Sequence, residues 1–438
     1  MRILVVGGGG REHALCWALR RENPDAVLHS APGNPGIAQI ADTLPIPADD
    51  IDRIADAADM LASDLVVVGP EAPLARGLAD RLRAEGRAVV GPSAAAARIE
   101  SSKAFAKDVM RAAGVPTAAS GTFTELAPAL AYVDRHAEPL VVKASGLAAG
   151  KGAVVCATRA EAGDAVRAML GGGAFGDAGR TVVVEAFLEG EEVSLFALTD
   201  GTGLALLPAA QDHKRLLEGD RGPNTGGMGA YTPVSIATPA LLDRAVREVY
   251  EPVLEELRRR GSPFSGVLYA GLMVDRTGAP WVIEFNCRLG DPETQAVLPL
   301  VAAGLTDALW RVGRGQAPSP LRIAAGAAVT TVLAARGYPD APEKGAPISI
   351  PGELPPGVSV FHAGTTRDAA GTLRVAGGRV LGVTGTASGF AAAQAASRAG
   401  AERIEFDGKL FRRDIGWREA ARAAGDRAVL TRSGVYDS

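Results

Sequence analysis

Cysteines, long apolar runs and basic blocks are scarce in this chain, and each scarcity excludes a class of protein. The 438 residues contain three cysteines, Cys16, Cys156 and Cys287. They are too far apart for a zinc site or a disulfide framework, and they are typical of a reducing cytoplasm. No apolar run approaches the roughly 18 residues of a membrane span. The net charge of −4, without a basic block, argues against nucleic acid as the main partner.

Lysine is also scarce, and its positions are informative. Only seven of the 46 basic residues are lysines, so arginine occupies the ordinary basic surface positions. A lysine retained in this background marks a place where a compact ammonium group is needed, although chance placement explains some of them equally well. The seven are Lys103, Lys107, Lys143, Lys151, Lys214, Lys344 and Lys409.

The overall composition is that of a soluble globular protein with a large core. Hydrophobic residues make up 47% of the chain and charged residues 22%. The length predicts about three domains. The N-terminus enters an apolar segment directly, so no signal peptide is expected.

The first hundred residues alternate between short apolar runs and helical patterns. The runs at 3–6, 26–29, 65–68 and 88–90 are continuous, as in parallel strands covered on both faces. This alternation predicts a Rossmann-like α/β unit. The first strand-to-helix turn, residues 7–13, does not fit the Gly-x-Gly-x-x-Gly dinucleotide pattern. Backbone N–H groups at a helix start favour an anion, so a single phosphate is a better ligand prediction than NAD.

Residues 139–155 read as a strand, a glycine-rich loop and a second strand. The spacing is not that of a Walker A loop, since Gly152 stands where Ser or Thr is required. We interpret the segment as a hairpin flap whose backbone amides and Lys151 can close over phosphates, with Lys143 on the strand beneath. A plain hairpin is the alternative.

A segment near residue 285 carries the strongest chemical signal. The strand pattern there places Glu284 and Asn286 on one face and Phe285 on the other. Carboxylate and amide oxygens are hard ligands that suit Mg²⁺, which fills the rest of its shell with phosphate oxygens and water. Arg288 follows as a rigid fork for a carboxylate or a phosphate. A solvated strand face is an equally good interpretation of this stretch taken alone.

Two further regions are rich in turn and polar residues. The connector 185–188 offers exposed backbone for an adenine edge, and Glu192 can reach ribose hydroxyls, although acidic turns are common. Residues 211–215 lead into a glycine-rich loop at 222–231, shaped for close approach to a ligand. From about residue 327 the pattern predicts a separate α+β lobe with little catalytic chemistry. Gly377 and Gly378 predict a hairpin in this lobe.

Together these stretches resemble the ATP-grasp ligases and, within them, the phosphoribosylamine–glycine ligase family of purine biosynthesis. The motifs that carry the resemblance span nearly the whole chain in order. They lie at residues 9–13, 31–34, 68–74, 102–105, 146–152, 211–215, 222–231, 284–295, 361–365 and 413–417. The lysine- and glycine-rich hairpin and the Glu-x-Asn strand are general to ATP-grasp enzymes, whereas the 211–231 and 287–295 stretches are far more specific.

The resemblance implies an α/β and α+β architecture. It consists of a Rossmann-like N-terminal domain (1–102), an ATP-grasp core of two α+β subdomains (103–326, with a lid at about 115–190) and a small C-terminal α+β domain (327–438). It also implies that ATP, glycine and 5-phosphoribosylamine give glycinamide ribonucleotide, ADP and phosphate through glycyl phosphate. The cofactor would be Mg²⁺ or Mn²⁺, and the enzyme a cytoplasmic monomer without a nucleic-acid or membrane partner.

The resemblance also implies site residues. Glu284 and Asn286 would bind the metal. Asp212, Arg288 and Asp291 would be the catalytic residues near glycine. ATP contacts fall to Lys103, Lys143, Ser145, Gly150, Lys151, Gly152, Glu185, Phe187, Leu188 and Glu192. Substrate contacts fall to Gly9, Gly10, Arg11, Glu12, Asn34, Pro70, Glu71, Asn224, Thr225 and Gly226. The family's usual Lys-Ala-Asp-Gly is Lys-Ala-Ser-Gly here, so a role that needs a carboxylate at residue 145 is in doubt.

Three alternatives differ in class. Another ATP-grasp ligase or carboxylase would share the adenine connector at 185–188, the lid and the metal strand. Only the 211–231 and 287–295 stretches argue against it. A nucleotide-binding module without turnover would not need Glu284, Asn286, Lys143 and Arg288 together. A nicotinamide dehydrogenase is excluded by the first glycine turn.

Overall fold

The N-terminal part of the chain forms a parallel five-stranded sheet with the order β3-β2-β1-β4-β5. The computed structural model describes residues 1–147, 152–171 and 176–425. The strands of this sheet are β1 (Arg2–Gly7), β2 (Val27–Pro32), β3 (Asp42–Thr43), β4 (Leu65–Val68) and β5 (Ala88–Val90). The helices between and after them are α1 (Gly10–Glu22), α2 (Ile51–Met60), α3 (Glu71–Ala75), α4 (Leu78–Ala84) and α5 (Ala94–Ser101).

The continuous apolar runs arise because both faces of this sheet are covered. Along β1, Ile3 and Val5 belong to one hydrophobic cluster, and Leu4 and Val6 belong to another. Successive side chains from Ile3 to Val6 therefore enter alternate cores, and all four positions are apolar. The predicted Rossmann-like unit is confirmed.

The next part of the chain builds a small lid subdomain with its own core. After α6 (Lys103–Ala113), four antiparallel strands pair in the order β6-β9-β7-β8. The elements are β6 (Ser120–Phe123), α7 (Leu126–Arg135), β7 (Leu140–Ala144), β8 (Ala153–Cys156), α8 (Arg159–Leu170) and β9 (Val182–Ala186). The antiparallel pairing of β7 with β8 confirms the strands of the predicted hairpin.

The chain from 191 to 286 supplies the second half of the core. Its strands are β10 (Glu191–Thr199), β11 (Leu204–Leu206), β12 (Gln211–Asp212), β13 (Arg215–Leu217), β14 (Arg221–Asn224), β15 (Gly229–Thr232), β16 (Gly266–Val274) and β17 (Pro280–Asn286). The helices α9 (Pro239–Ala245) and α10 (Glu251–Arg259) are joined by a π-helical turn at Val246–Tyr250. An antiparallel sheet β11-β10-β16-β17 brings the predicted metal strand, β17, to one edge.

A short connecting region follows the metal strand. It contains α11 (Glu293–Val297), β18 (Val301–Ala303), α12 (Leu305–Gly313) and β19 (Arg322–Ile323). In the described parts of the chain no helix has the length and apolar character needed to cross a membrane.

The C-terminal lobe is less separate than the sequence predicted. Its elements are β20 (Ala327–Ala334), β21 (Val358–His362), β22 (Thr365–Arg367), β23 (Leu373–Val375), β24 (Arg379–Ala387), α13 (Phe390–Arg403) and α14 (Trp417–Ala423). Its main sheet has the order β12-β15-β20-β24-β21, so two of its five strands come from residues 211–232. The lobe therefore shares a continuous sheet with the core.

The predicted hairpin at Gly377 and Gly378 is wrong. β23 pairs with β22, whereas β24 pairs with β20 and β21, so the glycine pair joins two different sheets. A Cβ at Gly378 would lie 2.4 Å from Cδ2 of Tyr338, and one at Gly377 would lie 3.0 Å from Cα of Gly364. These glycines are needed for close packing at a crossover rather than for a tight turn.

Candidate active site

A cavity of about 530 Å³ lies between the N-terminal sheet, the lid, β17 and β24. Most of the side chains singled out in the sequence line it. From the N-terminal domain and lid these are Arg11, Pro70, Glu71, Lys103, Lys143, Gly152, Glu185, Phe187 and Leu188. From the rest of the core they are Glu192, Asp212, Asn224, Thr225, Gly226, Glu284, Asn286, Arg288 and Asp291.

The metal strand presents its two oxygen-bearing side chains to this cavity. Glu284 and Asn286 lie on the wall, and Phe285, which also borders the cavity, is only 2% exposed and joins the hydrophobic core. Burial opposes ionisation of Glu284, but Lys214, Lys143 and Lys103 outweigh it and lower the pKa of that carboxyl. An ionised carboxylate beside an amide is a donor set that fits Mg²⁺ or Mn²⁺. Among the described residues, no group of three or more His, Cys, Asp or Glu is arranged for a metal ion.

Two lysines near the lid share one buried carboxylate. Nζ of Lys143 lies 3.0 Å from Oε2 of Glu185, and Nζ of Lys107 lies 3.3 Å from Oε1. Burial lowers the pKa of Lys107 to about 8, although Glu185 opposes this shift. The Glu185 side chain is therefore bound to both lysines. Because Glu185 lies inside β9, the exposed connector begins only after Ala186.

Lys103 opens the helix α6 on the same wall. Its Nζ donates to the carbonyl oxygen of Gly146 at 3.3 Å, at the start of the lid loop. Burial lowers the pKa of Lys103, while Glu284 opposes that shift. The helix dipole disfavours a cation at this end. Three features therefore favour an added anion near Lys103: its place at the helix start, its burial and its position on the cavity wall.

An acidic corner occupies the other side of the metal strand. Lys214 forms a close ion pair with Glu192, and Asp212 lies beside them on the wall. Burial raises the pKa of Asp212 to about 7; Lys214 opposes this shift, and Glu293 adds to it. Glu293 is buried, and Oγ of Ser194 donates to its Oε1 at 3.2 Å. This corner is suited to a cationic substrate group such as an ammonium.

Arg288 is held between two carboxylates. Its Nε lies 3.2 Å from Glu71, and its NH2 nitrogen lies 2.8 Å from Oε1 of Glu100. Oε2 of Glu100 accepts from the backbone N–H of Cys287 at 2.7 Å, which fixes the carboxylate. Burial opposes the charge of Arg288, but Glu100 and Glu71 outweigh it and raise its pKa. The guanidinium is therefore rigidly aimed and permanently charged.

Asp291 meets an arginine from the C-terminal lobe. A nitrogen of Arg379 lies 3.4 Å from Oδ1 of Asp291, donates to the Asp291 carbonyl at 2.6 Å and also bonds Gly226. Burial opposes ionisation of Asp291, but Arg379 and Arg11 lower the pKa of its carboxyl. Arg379 lines the cavity, so the C-terminal lobe contributes a charged side chain to its wall.

The 7–13 turn differs from the sequence expectation of free backbone donors. The N–H of Gly9 donates to Oε2 of Glu12 at 2.7 Å, and Nε of Arg11 lies 2.6 Å from Oε1 of the same carboxylate. The helix start at Gly9 thus already has an anion. Gly9, Gly10 and Glu12 are not among the residues of the cavity wall, and only Arg11 of this group reaches it.

Asn34 is also used within the protein. Its Nδ2 donates to the carbonyls of Gly8 (2.9 Å) and His362 (2.8 Å). Its Oδ1 accepts from the N–H groups of Gly36 and Ile37, both at 2.9 Å. The amide joins the first turn, the 33–37 turn and the C-terminal lobe. Its four hydrogen-bonding positions are therefore taken by protein partners in this structure.

Comparisons with known proteins agree along the whole length of the chain. Family models for the N, ATP-grasp (A) and C domains of phosphoribosylglycinamide synthetase match residues 1–100, 101–294 and 328–418. A phosphoribosylamine–glycine ligase from Ralstonia nicotianae is 48% identical over 425 residues, which cover 96% of this chain and 100% of the relative. The chain belongs to the phosphoribosylamine–glycine ligase family. The family predicted from the motifs is confirmed.

Solved structures support the same family and its fold. The crystal structure of phosphoribosylamine–glycine ligase from Thermotoga maritima has a TM-score of 0.84 and 34% identity, covering 95% of this chain and 100% of that one. A biotin carboxylase domain from Hydrogenobacter thermophilus has a TM-score of 0.70 at 18% identity, covering 94% of this chain and 91% of that chain. At that identity it shows a shared fold alone.

Ser145 departs from the usual pattern of the phosphoribosylamine–glycine ligases, and the structure gives it a local role. Its Oγ accepts from the N–H of Ala104 at 3.0 Å, and its carbonyl accepts from the N–H of Lys103 at 2.8 Å. Oγ of Ser102 accepts from the N–H of Phe105 at 3.2 Å, so Ser102 is the N-cap of α6. A hydroxyl thus suffices to dock the lid loop on α6. Gly150 and Lys151 lie outside the described residues.

Four charged residues that line the cavity were not singled out as site residues in the sequence. Glu100, Glu293 and Arg379 contact partners that are distant along the chain. Lys107 had one available signal, its membership of the small set of lysines. Glu293 had another, since it lies in the specific 287–295 stretch.

Proposed function

We propose that this chain joins glycine to 5-phosphoribosylamine at the expense of ATP, in purine biosynthesis. The products are glycinamide ribonucleotide, ADP and phosphate. One observation carries the proposal: a single cavity collects the metal strand, the lysines, the Arg288 fork and the acidic corner. ATP requires the first two groups of side chains, and two small charged substrates require the others.

The ATP end is the side bounded by the lid. Phe187 and Leu188 line the cavity beside β9, where an adenine ring would lie, and Glu192 lies within reach of a ribose on the same wall. Lys103 and Lys143 would neutralise phosphate charge. Glu284 and Asn286 would hold Mg²⁺ or Mn²⁺, which supplies charge neutralisation on the phosphates when bound.

The first chemical step is transfer of a phosphoryl group to glycine. A carboxylate oxygen of glycine attacks the γ-phosphorus, the bond from that phosphorus to the β,γ-bridging oxygen breaks, and ADP leaves. The chain contributes positioning and charge rather than a nucleophile. Cys287 fits this assignment, because burial and the neighbouring Glu100 raise the pKa of its thiol well above the ordinary value.

The second step forms the amide. The ribosylamine nitrogen attacks the carbonyl carbon of glycyl phosphate, the carbon–oxygen bond to the phosphoryl group breaks, and phosphate leaves. The nitrogen loses one proton in the process. Arg288 and Asp291 would lie beside the charge that changes in this step, and Asp212, with its raised pKa, is suited to hold the glycine ammonium or to accept a proton.

The remaining assignments extend this proposal. Arg11, Pro70 and Glu71 would lie beside the ribosylamine, and Asn224, Thr225 and Gly226 would close its other side. The working domains are residues 1–102, 103–326 with a lid at about 115–190, and 327–438. The working form is a cytoplasmic monomer that binds no nucleic acid.

A substrate panel tests the proposal. Purified enzyme with ATP and Mg²⁺ is given each amino acid in turn, with and without freshly prepared 5-phosphoribosylamine, and ADP release is followed. We expect turnover that requires both glycine and the ribosylamine. Equal turnover with other amino acids would indicate a different ATP-grasp ligase, and equal turnover without ribosylamine would contradict the second step.

A further inference from the structure

The sequence motif at 413–417, which the reaction does not use, lies outside the cavity and contacts a hairpin. Residues 412–418, which we name the C-terminal clasp, close on the hairpin formed by β13 and β14. At the tip of that hairpin, Oδ1 of Asp220 lies 2.8 Å from a nitrogen of Arg412. Its Oδ2 accepts from Nε1 of Trp417 at 3.1 Å and from Arg418 at 2.7 Å. One carboxylate on the hairpin is thus bound by three residues of the clasp.

Arg412 is the centre of this contact. Its side chain is only 1% exposed. Two of its nitrogens lie 2.8 Å from the two oxygens of Asp414, and a third donates to the Arg215 carbonyl at 3.0 Å. Asp414 in turn accepts from the N–H of Gly219 at 2.8 Å. The charges of two arginines and two aspartates therefore balance, and the fork geometry of the guanidinium admits one arrangement of the hairpin.

His213 extends the contact toward the active site. Its Nε2 accepts from the N–H of Gly416 at 2.8 Å, so the ring proton lies on Nδ1, which is 3.5 Å from Oδ1 of Asp220. Burial lowers the pKa of His213, in keeping with a neutral ring. The strand alternation turns His213 toward the clasp and its two neighbours, Asp212 and Lys214, toward the cavity.

Both ends of the clasped hairpin are cavity wall. Asp212 and Lys214 precede it, and Asn224 and Thr225 end it. The N–H of Thr225 donates to the Lys214 carbonyl at 2.8 Å, so the two ends are also joined to each other. A shift of the hairpin would move the acidic corner and the glycine-rich loop together.

We propose that the C-terminal clasp is a positioning device for the substrate end of the active site, with Asp220 and Arg412 as its positioning residues. The proposal rests on the proposed function, because it assigns glycine to the Asp212 corner. A buried ion network adds little stability over an apolar replacement, so the role we assign to this one is to hold the hairpin in a single geometry. The lysines and the adenine connector of the ATP end lie on the lid and on α6, and that end meets the clasped hairpin through the ion pair of Glu192 with Lys214.

The test compares the two ends of the cavity in one variant. Asp220→Asn keeps a residue that tolerates the positive φ of 54° at this position, and it removes only the charge. We expect kcat/KM for glycine to fall about 10- to 100-fold, the cost of a small misplacement. The Kd for ADP should change less than about twofold. Hydrogen exchange of residues 215–224 should accelerate, while that of α6 stays unchanged.

Further variants keep the outcome decisive. Arg412→Lys should retain part of the activity lost in Arg412→Gln, because it keeps the charge but not the fork. Arg336→Gln, which breaks an exposed pair with Asp407 in the same lobe, should leave kcat and KM unchanged. If Asp220→Asn does not fold, Trp417→Phe removes a single donor and is measured in the same way.

Two results would contradict the proposed positioning role of the C-terminal clasp. One is an unchanged kcat/KM for glycine in Asp220→Asn together with faster exchange of the hairpin. The other is an equal loss of ADP binding and glycine use, which indicates a general stability role. Failure of the wild-type enzyme to use glycine would instead overturn the proposed function and is read from the substrate panel.

Discussion

The metal strand and the 7–13 turn differ in whether the protein itself occupies their polar side chains. On the metal strand, Glu284 is held ionised by nearby lysines and faces the cavity. In the 7–13 turn, the Glu12 carboxylate is bonded to Gly9 and Arg11. Beside that turn, the Asn34 amide makes four hydrogen bonds within the protein. Both regions look like ligand sites in the sequence. The difference teaches that a polar group becomes a ligand group only where the fold leaves its bonding capacity unused.

The largest effect is expected at the metal strand. Glu284→Gln keeps the shape of the side chain but loses the charge that the cavity lysines stabilise. We expect kcat for ADP release to fall about 10²- to 10³-fold, because charge stabilisation of this kind is worth several kcal/mol. Circular dichroism should show an unchanged fold. The matched control is the exposed Glu343→Gln, and a similar loss there, or full Mg²⁺-dependent activity in Glu284→Gln, would refute the metal assignment.

A smaller effect, with a characteristic pH dependence, is expected at Asp212. Because burial raises its pKa to about 7, kcat/KM for glycine should increase as pH rises through that value and the carboxyl ionises. Asp212→Asn should remove the increase and lower kcat/KM about tenfold at pH 8. The pH profile of the variant decides the matter: an unchanged rise through pH 7 would assign the titration to another group.

The same carboxyl makes an opposite prediction for stability. A pKa raised above the unfolded value of 3.8 means that the folded state binds the proton more tightly. Ionisation between about pH 4 and pH 7 therefore costs stability. Asp212→Asn should unfold at a higher urea concentration than the wild type at pH 8, and the gain should vanish near pH 4. A variant less stable at both pH values would contradict this account.

At the opposite end, Asn34→Ala should affect folding more than catalysis. The substitution leaves two N–H groups and two carbonyls without their partner, at a cost on the order of 2–3 kcal/mol in the free energy of unfolding. KM for the ribosylamine should change less than about threefold, since the native amide has no free bonding group. Urea unfolding and steady-state kinetics measure the two quantities. A large rise in KM with normal stability would restore a direct substrate role.

The smallest effect is expected at Ser145, at the start of the lid loop. Ser145→Ala removes the acceptor for the N–H of Ala104, and loss of such a cap costs about 1 kcal/mol. Turnover should stay within about twofold, because the hydroxyl docks the loop and carries no charge. Thermal unfolding provides the measurement. A loss of activity comparable with that of Glu284→Gln would show that residue 145 takes part in the chemistry.

Local patterns predicted the fold because consecutive residues record how a strand is buried, on both faces in the N-terminal sheet and more alternately on the metal strand. The strands of the N-terminal sheet, the hairpin of the lid and the metal strand were each predicted from a few consecutive residues. The fold class, the family and the ligase function are confirmed by the comparisons. The individual site roles and the domain boundaries stay predictions.

Long-range pairing was beyond such patterns. Glu100 matters through Arg288, nearly two hundred positions away, and Arg379 reaches the site only because β24 shares a sheet with β12 and β15. The glycine pair at 377–378 was mistaken for a turn, since its packing partners, Tyr338 and Gly364, are set by the fold. No local spacing records these contacts.

The central claim is that the cavity activates glycine as an acyl phosphate before the amide forms. Glycine labelled with ¹⁸O in both carboxylate oxygens, turned over with ATP and 5-phosphoribosylamine, tests it directly by mass spectrometry of the products. The account predicts one ¹⁸O in the released phosphate and one in the amide of glycinamide ribonucleotide. Unlabelled phosphate, with the departing ¹⁸O found in water and the other in the amide, would contradict it.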